Sequence, residues 1–435
     1  MSLLIPGGHR FTLHTPRLQH TIRLVSWGMR MTQTREDCQG RSQQGGALEG
    51  IVVLELGMVM QVPLAAQMLG DFGADVIKIE RPPPGEILRT LDPVGRDRGE
   101  MSCYYAALCR NKRTLCLDIK EAKGRDALLR LIDRADVLLH NFRPGVMERL
   151  GLGFAEIHSR NPRLIYAAGF AFGESGPIAD LPGQDMLAQS FSGLAMSGVE
   201  PGETPRLNNT PAVDYVTAVS LTQGILAALL ERQRSGLGQK VSTSLFEVAL
   251  AMQTLEISSQ EIYDYRTSWL RQAMTFRTMD GWLTVLTLFR DNPLQKLCKA
   301  FEVEDLSRKP QYATTDLQIQ HLREIQDLFV PTFACFTTAE CMERLAKVDI
   351  LCSPINDVAD VLDHPQTRHN GTIWDITLPD QKTVRLAGNP VRLSRTPARL
   401  YREPAPLGAH SDDVLASFGF SLEEIQALRS SAVVI

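Results

Sequence analysis

The chain has 435 residues, 44% of them hydrophobic and 22% charged, with a formal net charge of −4. This is globular composition, long enough for two domains, without the basic excess of a nucleic-acid binder or an apolar run of the ~18–20 residues that a bilayer span needs. A soluble protein with neither a nucleic-acid partner nor a membrane is therefore expected. The eight cysteines include no C-x-x-C pair, so they read as reduced, mostly buried residues of an intracellular protein.

Residues 1–46 stand apart from the rest. Arg10, Arg17, Arg23, Arg30 and Arg35 fall in a stretch (1–35) with no Asp or Glu. Two readings fit: a mitochondrial transit peptide, or a misplaced start with Met29 or Met31 as the true one. The expected location is the cytoplasm, or the mitochondrial matrix under the first reading.

Globular patterning begins at Leu48. The apolar, β-branched run 51–56 predicts a buried strand. Residues 63–73 predict a helix with Pro63 at its start and Gly73 at its end, and 74–80 a second strand. This β-α-β unit has the size of a parallel pair with a crossover helix. Residues 124–135 then predict a helix, with strands at 136–142 and 163–171. Residues 214–233 form the strongest helical pattern, stopped by Gly236 and Gly238. Residues 240–257 start strand-like and continue as a helix. Alternation of this kind predicts an open, doubly wound α/β sheet. From 265 to 375 the texture changes to a hairpin arm at 280–289 and three amphipathic helices, predicting a smaller α+β domain. The tail ends in a helix-like segment at 421–432. The predicted division is 47–260 for the large domain, 265–375 for the small one and 380–435 for a C-terminal return to the large one.

Familiar cofactor signatures are missing. No G-x-G-x-x-G follows the first strand, and there is no Walker loop, H-E-x-x-H or G-x-S-x-G elbow. His364 and His369 sit in a Pro-containing stretch that reads as a loop rather than a metal site. With no tightly bound cofactor and no metal indicated, the chemistry falls to side chains.

An ordered string of motifs then resembles the family III CoA-transferases. It comprises GIVVLELG, GDFGADVIKIERPPPGE, RNKRTLCLDIK, HNFRPGVMERLGLG, NPRLIYAAGFAFGESGP, PGQDMLAQSFSGL and DYVTAVSLTQGILAALLERQRSGLGQKV. The match is dense over 48–260 and thin beyond. The resemblance implies a Rossmann-like large domain built from both chain ends, an inserted smaller α+β domain, and two ring-shaped subunits interlocked as a homodimer. It implies coenzyme A and acyl-CoA as substrates, with a free carboxylic acid as acceptor.

The resemblance also places the site. The family nucleophile, an Asp preceding a long helix, matches Asp214; on position alone Asp214 reads as a helix N-cap, with the helix dipole favouring its ionised form. Asp185 matches a second acidic position, for orienting the acyl group or handling a proton, and equally reads as a cap of the helix that follows it. The CoA-binding positions carry over to Met60, Gln61, Arg81, Leu117, Lys120, Asn141, Phe142, Arg143 and Arg149. Arg81, Lys120 and Arg149 are sensible partners for the CoA phosphates. The first loop departs from the family's x-A-G-P, reading MQVP at 60–63, and the Gln that formyl-CoA members of the family place in this loop matches Met60, with Gln61 one residue later. The family's Gly-rich shielding loop is not visible between 255 and 285, which leaves 273–281 to close the site. The rival within the superfamily is an α-methylacyl-CoA racemase, whose A-G-H-D reads P-G-Q-D at 182–185 here. A non-catalytic CoA-binding homologue is the other alternative.

Overall fold

Six parallel strands form the central sheet of the computed structural model, which describes residues 45–199, 202–264, 272–287 and 289–435. The strands are β1 (Val52–Leu56), β2 (Asp75–Glu80), β3 (Lys112–Cys116), β4 (Val137–His140), β5 (Ile165–Phe170) and β6 (Lys240–Ser244). Their order is β3-β2-β1-β4-β5-β6, all neighbours parallel. The order reverses between β1 and β4, which makes the carboxyl ends of these two strands the switch point where doubly wound sheets bind ligands. The Arg-rich extension, with Cys38, lies outside the described residues.

Alternate strand residues feed two cores, as the pleat requires. Leu54, Leu56, Ile77, Leu115 and Leu138 face the Ala122–Ile132 helix and the C-terminal helices Ser411–Ser417 and Leu422–Ser430. Val53, Val76, Val137 and Ile165 face the helices Gln61–Asp71 and Ala212–Ser235. Both ends of the globular chain therefore cover one sheet, and Asp118 N–H donates to Val433 O at 2.9 Å.

Several sequence expectations change. The first helix begins at Gln61, not Pro63, so Pro63 takes the third helical position, where its missing N–H has no intrahelical partner to lose. Strand β3 was not expected, because Lys112 and Arg113 break its apolar pattern. The stretch 364–370, read as a loop, holds a helix Pro365–Asn370 whose N-cap is His364, and among the described residues no His/Cys/Asp/Glu group could hold a metal. The helix Ala212–Ser235 is, by length and composition, apolar enough to cross a bilayer, against the expectation that no such segment exists. Its inner face packs on the sheet, burying Val213, Leu221 and Ile225.

A second sheet is antiparallel, with β7 (Ala273–Arg277), β8 (Trp282–Leu286) and β9 (Leu351–Pro354) in that order. It has its own core with the helices Pro293–Phe301, Leu322–Ala334 and Thr338–Lys347, in which Phe276 and Phe333 stack at 3.9 Å. A hairpin of β10 (Ile373–Thr377) and β11 (Thr383–Ala387) follows. Residues 273–281, expected to close the site, form β7 and its turn within this sheet and line neither cavity at the switch point.

Candidate active site

Two adjoining cavities of about 350 and 380 Å³ lie along the carboxyl edge of the large sheet. Met58, Phe142 and Val146 line both. The first is bounded by the chain leaving β1 (Gly57), β2 (Arg81), β3 (Leu117 to Lys120) and the turn after β4 (Phe142 to Leu150). Arg81, Leu117, Lys120, Phe142 and Arg149, distant in sequence, converge here. Arg81, Lys120 and Arg149 are exposed. Arg81 Nε donates to Gly85 O at 2.9 Å, and among the described residues Lys120 and Arg149 have no ion-pair partner. An apolar floor ringed by three cations suits a ligand that joins a phosphorylated end to an apolar body.

The second cavity holds Asp214, with Met60, Gln61, Asn141, Phe142 and Arg143. Gln61 is buried at the first position of its helix, and its Oε1 has no hydrogen-bond partner. A Cβ on Gly169 would lie 2.4 Å from that oxygen, so glycine is what lets the carboxamide sit against β5. The one-residue offset of Gln61 from the family position thus still brings it into the cavity of Asp214. Asn141 lines the same cavity, but its carboxamide grips Met58: Oδ1 accepts from Met58 N–H at 2.9 Å and Nδ2 donates to Met58 O at 2.8 Å.

Asp214 is not the N-cap that its position implied. The cap is Pro211, which offers no side-chain acceptor, and Asp214 is the third helical residue. Asp185 lines neither cavity. It is the first residue of its own helix, Asp185–Phe191, whose cap is Gln184. Its Oδ2 accepts the Asp214 N–H at 2.8 Å, while Oδ1 accepts from Gln189 Nε2. Asp185 thus caps a helix 29 residues away, supplying the acceptor that Pro211 lacks. Gln189 is held in turn by the Asn208 backbone, donating to its O at 3.0 Å and accepting from its N–H at 2.8 Å.

This packing sets the charge state of the site. Among the described residues no donor reaches the Asp214 carboxylate. Burial first, and the Asp185 carboxylate second, push Asp214 up to about 7. The helix dipole favours ionisation, as expected, but these two effects outweigh it. A carboxyl poised there is substantially ionised at neutral pH and, when ionised, poorly solvated, which is what a carboxylate nucleophile needs. Activity requiring ionised Asp214 should rise along an acidic limb near pH 7. Replacing Asp185 with Asn removes the like charge and should move that limb to lower pH. Burial, the larger cause, remains, so the limb should stay above the ordinary carboxylate range. A kcat/KM profile from pH 5 to 9 measures this; an unmoved limb would mean that Asp185 does not tune Asp214.

Residues 48–411 match the model of CoA-transferase family III. A Fusarium pseudograminearum protein named acyl-CoA transferase is 32% identical, over 91% of this chain and 90% of its own length. Succinate–glutarate CoA-transferase of Agrobacterium fabrum is 30% identical, over 85% of this chain and 95% of its own. Among solved structures, a CaiB/BaiF family protein from Brucella suis is similar with a TM-score of 0.78 at 26% identity, covering 86% of this chain and 100% of that one. The parallel α/β sheet, the cation-ringed cavity and the buried carboxyl beside it agree with these likenesses: the chain belongs to the family III CoA-transferases, enzymes that move coenzyme A between acyl-CoA thioesters and carboxylic acids.

Proposed function

We propose that Asp214 is the nucleophile of this transfer and carries the acyl group and then the CoA covalently. The observation behind this is a buried carboxyl poised near neutrality in a cavity that adjoins one ringed by cations. An Asp214 oxygen attacks the thioester carbonyl and CoA thiolate leaves, giving a mixed anhydride. The thiolate attacks the aspartyl carbonyl, expels the donor carboxylate and leaves an aspartyl-CoA thioester. The acceptor carboxylate attacks that thioester and releases the thiolate again. The thiolate then takes the acceptor acyl group and frees Asp214. Holding each partner in place turns bimolecular steps into local ones.

Short dicarboxylic acids are the proposed acyl class, with succinyl-CoA as donor. The Agrobacterium relative is named for succinate and glutarate. Arg143, expected on CoA, lines the Asp214 cavity and has no ion-pair partner among the described residues, so it is free to take a second carboxylate. A homodimer with an inserted small domain is part of the same reading. Tyr215, Val219, Leu226 and Leu230 leave an exposed apolar stripe along the Asp214 helix, as a helix-packing partner would require.

The test is chemical trapping. Incubation with succinyl-CoA followed by hydroxylamine should leave a hydroxamate on Asp214, located by peptide mass spectrometry, and glutarate should become glutaryl-CoA. Exchange of an α-hydrogen with deuterated solvent and no adduct would instead indicate racemisation. That rival lacks its second acid–base partner, since among the described residues no histidine lines the Asp214 cavity. Lys120→Ala and Arg149→Ala should each raise KM for acyl-CoA roughly 10-fold with little change in kcat, the pattern of lost uniform binding. Steady-state kinetics at several CoA-ester concentrations would show it.

A further inference from the structure

Beneath the first loop lies a fully buried set of charges that the reaction does not use. Glu55 on β1 meets Lys78 on β2 at 2.7 Å and Lys112 on β3 at 2.8 Å, and Lys78 also meets Glu86 at 2.5 Å. Two carboxylates and two ammonium groups balance. Burial raises Glu55, but Lys112 and Lys78 more than reverse it and hold it below the usual carboxylate range. The balance explains how the set survives without water.

The outward hydrogen bonds of this set share one destination. Lys78 Nζ donates to Gly57 O at 3.0 Å, Lys112 Nζ donates to Pro63 O at 2.7 Å, and Glu86 Oε1 accepts from Val59 N–H at 2.7 Å. All three grip the backbone between 57 and 63. Asn141 holds the same segment from the other side through Met58. The grip works against a conformational preference, because Val59 has φ 62, a region a β-branched residue rarely occupies. Such a residue persists only where its surroundings over-determine it, and such places cluster at functional sites. This segment is the wall between the two cavities: Gly57 and Met58 face the cation-ringed one, and Met58 to Gln61 face Asp214.

We propose that Glu86 is a positioning residue for CoA transfer, holding Val59 in its left-handed conformation so that Met60 and Gln61 stand opposite Asp214. Glu86 is well placed for this: its own N–H is held by Glu80 Oε2, which the Arg89 guanidinium pairs in turn. The inference rests on the transfer reaction described above. Its signature is a loss of rate that follows the Val59 hydrogen bond rather than the charge.

Glu86→Ala should lower kcat about 100-fold, the scale of a misplaced reacting geometry. Glu86→Gln keeps an acceptor for Val59 N–H and should recover most of that loss despite removing the charge. Val59→Gly added to Glu86→Ala should recover part of it, since glycine adopts positive φ freely. Hydrogen exchange read by mass spectrometry supplies a measure independent of activity. Peptides covering 57–61 should lose protection in Glu86→Ala and keep it in Glu86→Gln, with β4 and β5 unchanged in both. Equal kcat in the Ala and Gln variants, or a loss of protection spread over the whole sheet, would overturn the proposal in favour of a purely structural role. A wild-type protein that transfers no CoA would overturn the proposed reaction instead, and the exchange pattern would still decide whether Glu86 holds the loop.

Discussion

The Asp214→Asn variant is expected to lose CoA transfer by roughly 10⁴-fold or more while becoming more stable than the wild type above neutral pH. The first effect follows from removing the proposed nucleophile, for which no other carboxylate lines the cavity among the described residues: Asp185 lies outside it, committed to the Asp214 N–H and to Gln189. The second follows from the same burial that tunes the group. Asp214 titrates near 7 in the folded protein and near 3.9 in an unfolded chain. Between those values the folded state holds a proton that the unfolded state has released. Stability is therefore fully retained below about pH 4 and falls as pH rises towards 7, by at most about 4 kcal/mol. Asn never ionises, so it escapes this loss, although its own poorly paired amide takes back about 1–3 kcal/mol. Denaturant unfolding at pH 4 and pH 8 should show the variant gaining on the wild type as pH rises. A parallel pH dependence of the two proteins would mean that Asp214 is not the buried, up-shifted group described here.

Glu55→Leu should cost about 3–5 kcal/mol, a large part of the 5–15 kcal/mol by which a typical domain is stable. Glu55 is fully buried between Lys78 and Lys112. Its loss leaves Lys78 with Glu86, but leaves Lys112 with no carboxylate and only the Pro63 carbonyl. An uncompensated buried ammonium is the expensive outcome, not the absence of a pair as such. Adding Lys112→Met should accordingly restore much of the stability, because the remaining Lys78–Glu86 pair is balanced and an apolar pair can replace an ionic one at little cost. A double-mutant cycle in urea measures the coupling. Additive effects of the two substitutions would sink this account of the charge set.

The same residues show why some of the fold was legible in the chain and some was not. Strands β1, β2, β4 and β5 are built on short apolar segments set between helical periods, which suit a parallel sheet with both faces covered, whereas β6 at the sheet edge is the more polar KVSTS. Strand β3 escaped because Lys112 looks like a surface residue until Glu55, on another strand, is placed beside it. The chemistry divides in the same way. Lys120 and Arg149 could be singled out by motif, but a lone cation on a motif is indistinguishable from a solvated one until the carboxyl ends of β1 to β4 gather them around one cavity. Gln61 stood one residue from the family position and looked displaced; the earlier start of its helix carries it to Asp214.

The two aspartates make the division sharpest. Their presence, order and spacing are written in the chain, and the ordered motifs mark Asp214 as the proposed nucleophile. Their roles are not written there. Whether an aspartate caps, tunes or attacks depends on which donors and charges lie within a few ångströms and how much water remains. For Asp185 that neighbour is the N–H of a helix 29 residues further on. For Asp214 it is the loss of solvent together with a second negative charge. Desolvation and through-space charge arise only when distant segments pack, so the proposed nucleophile was readable from sequence and its upward shift towards neutral pH came from the fold.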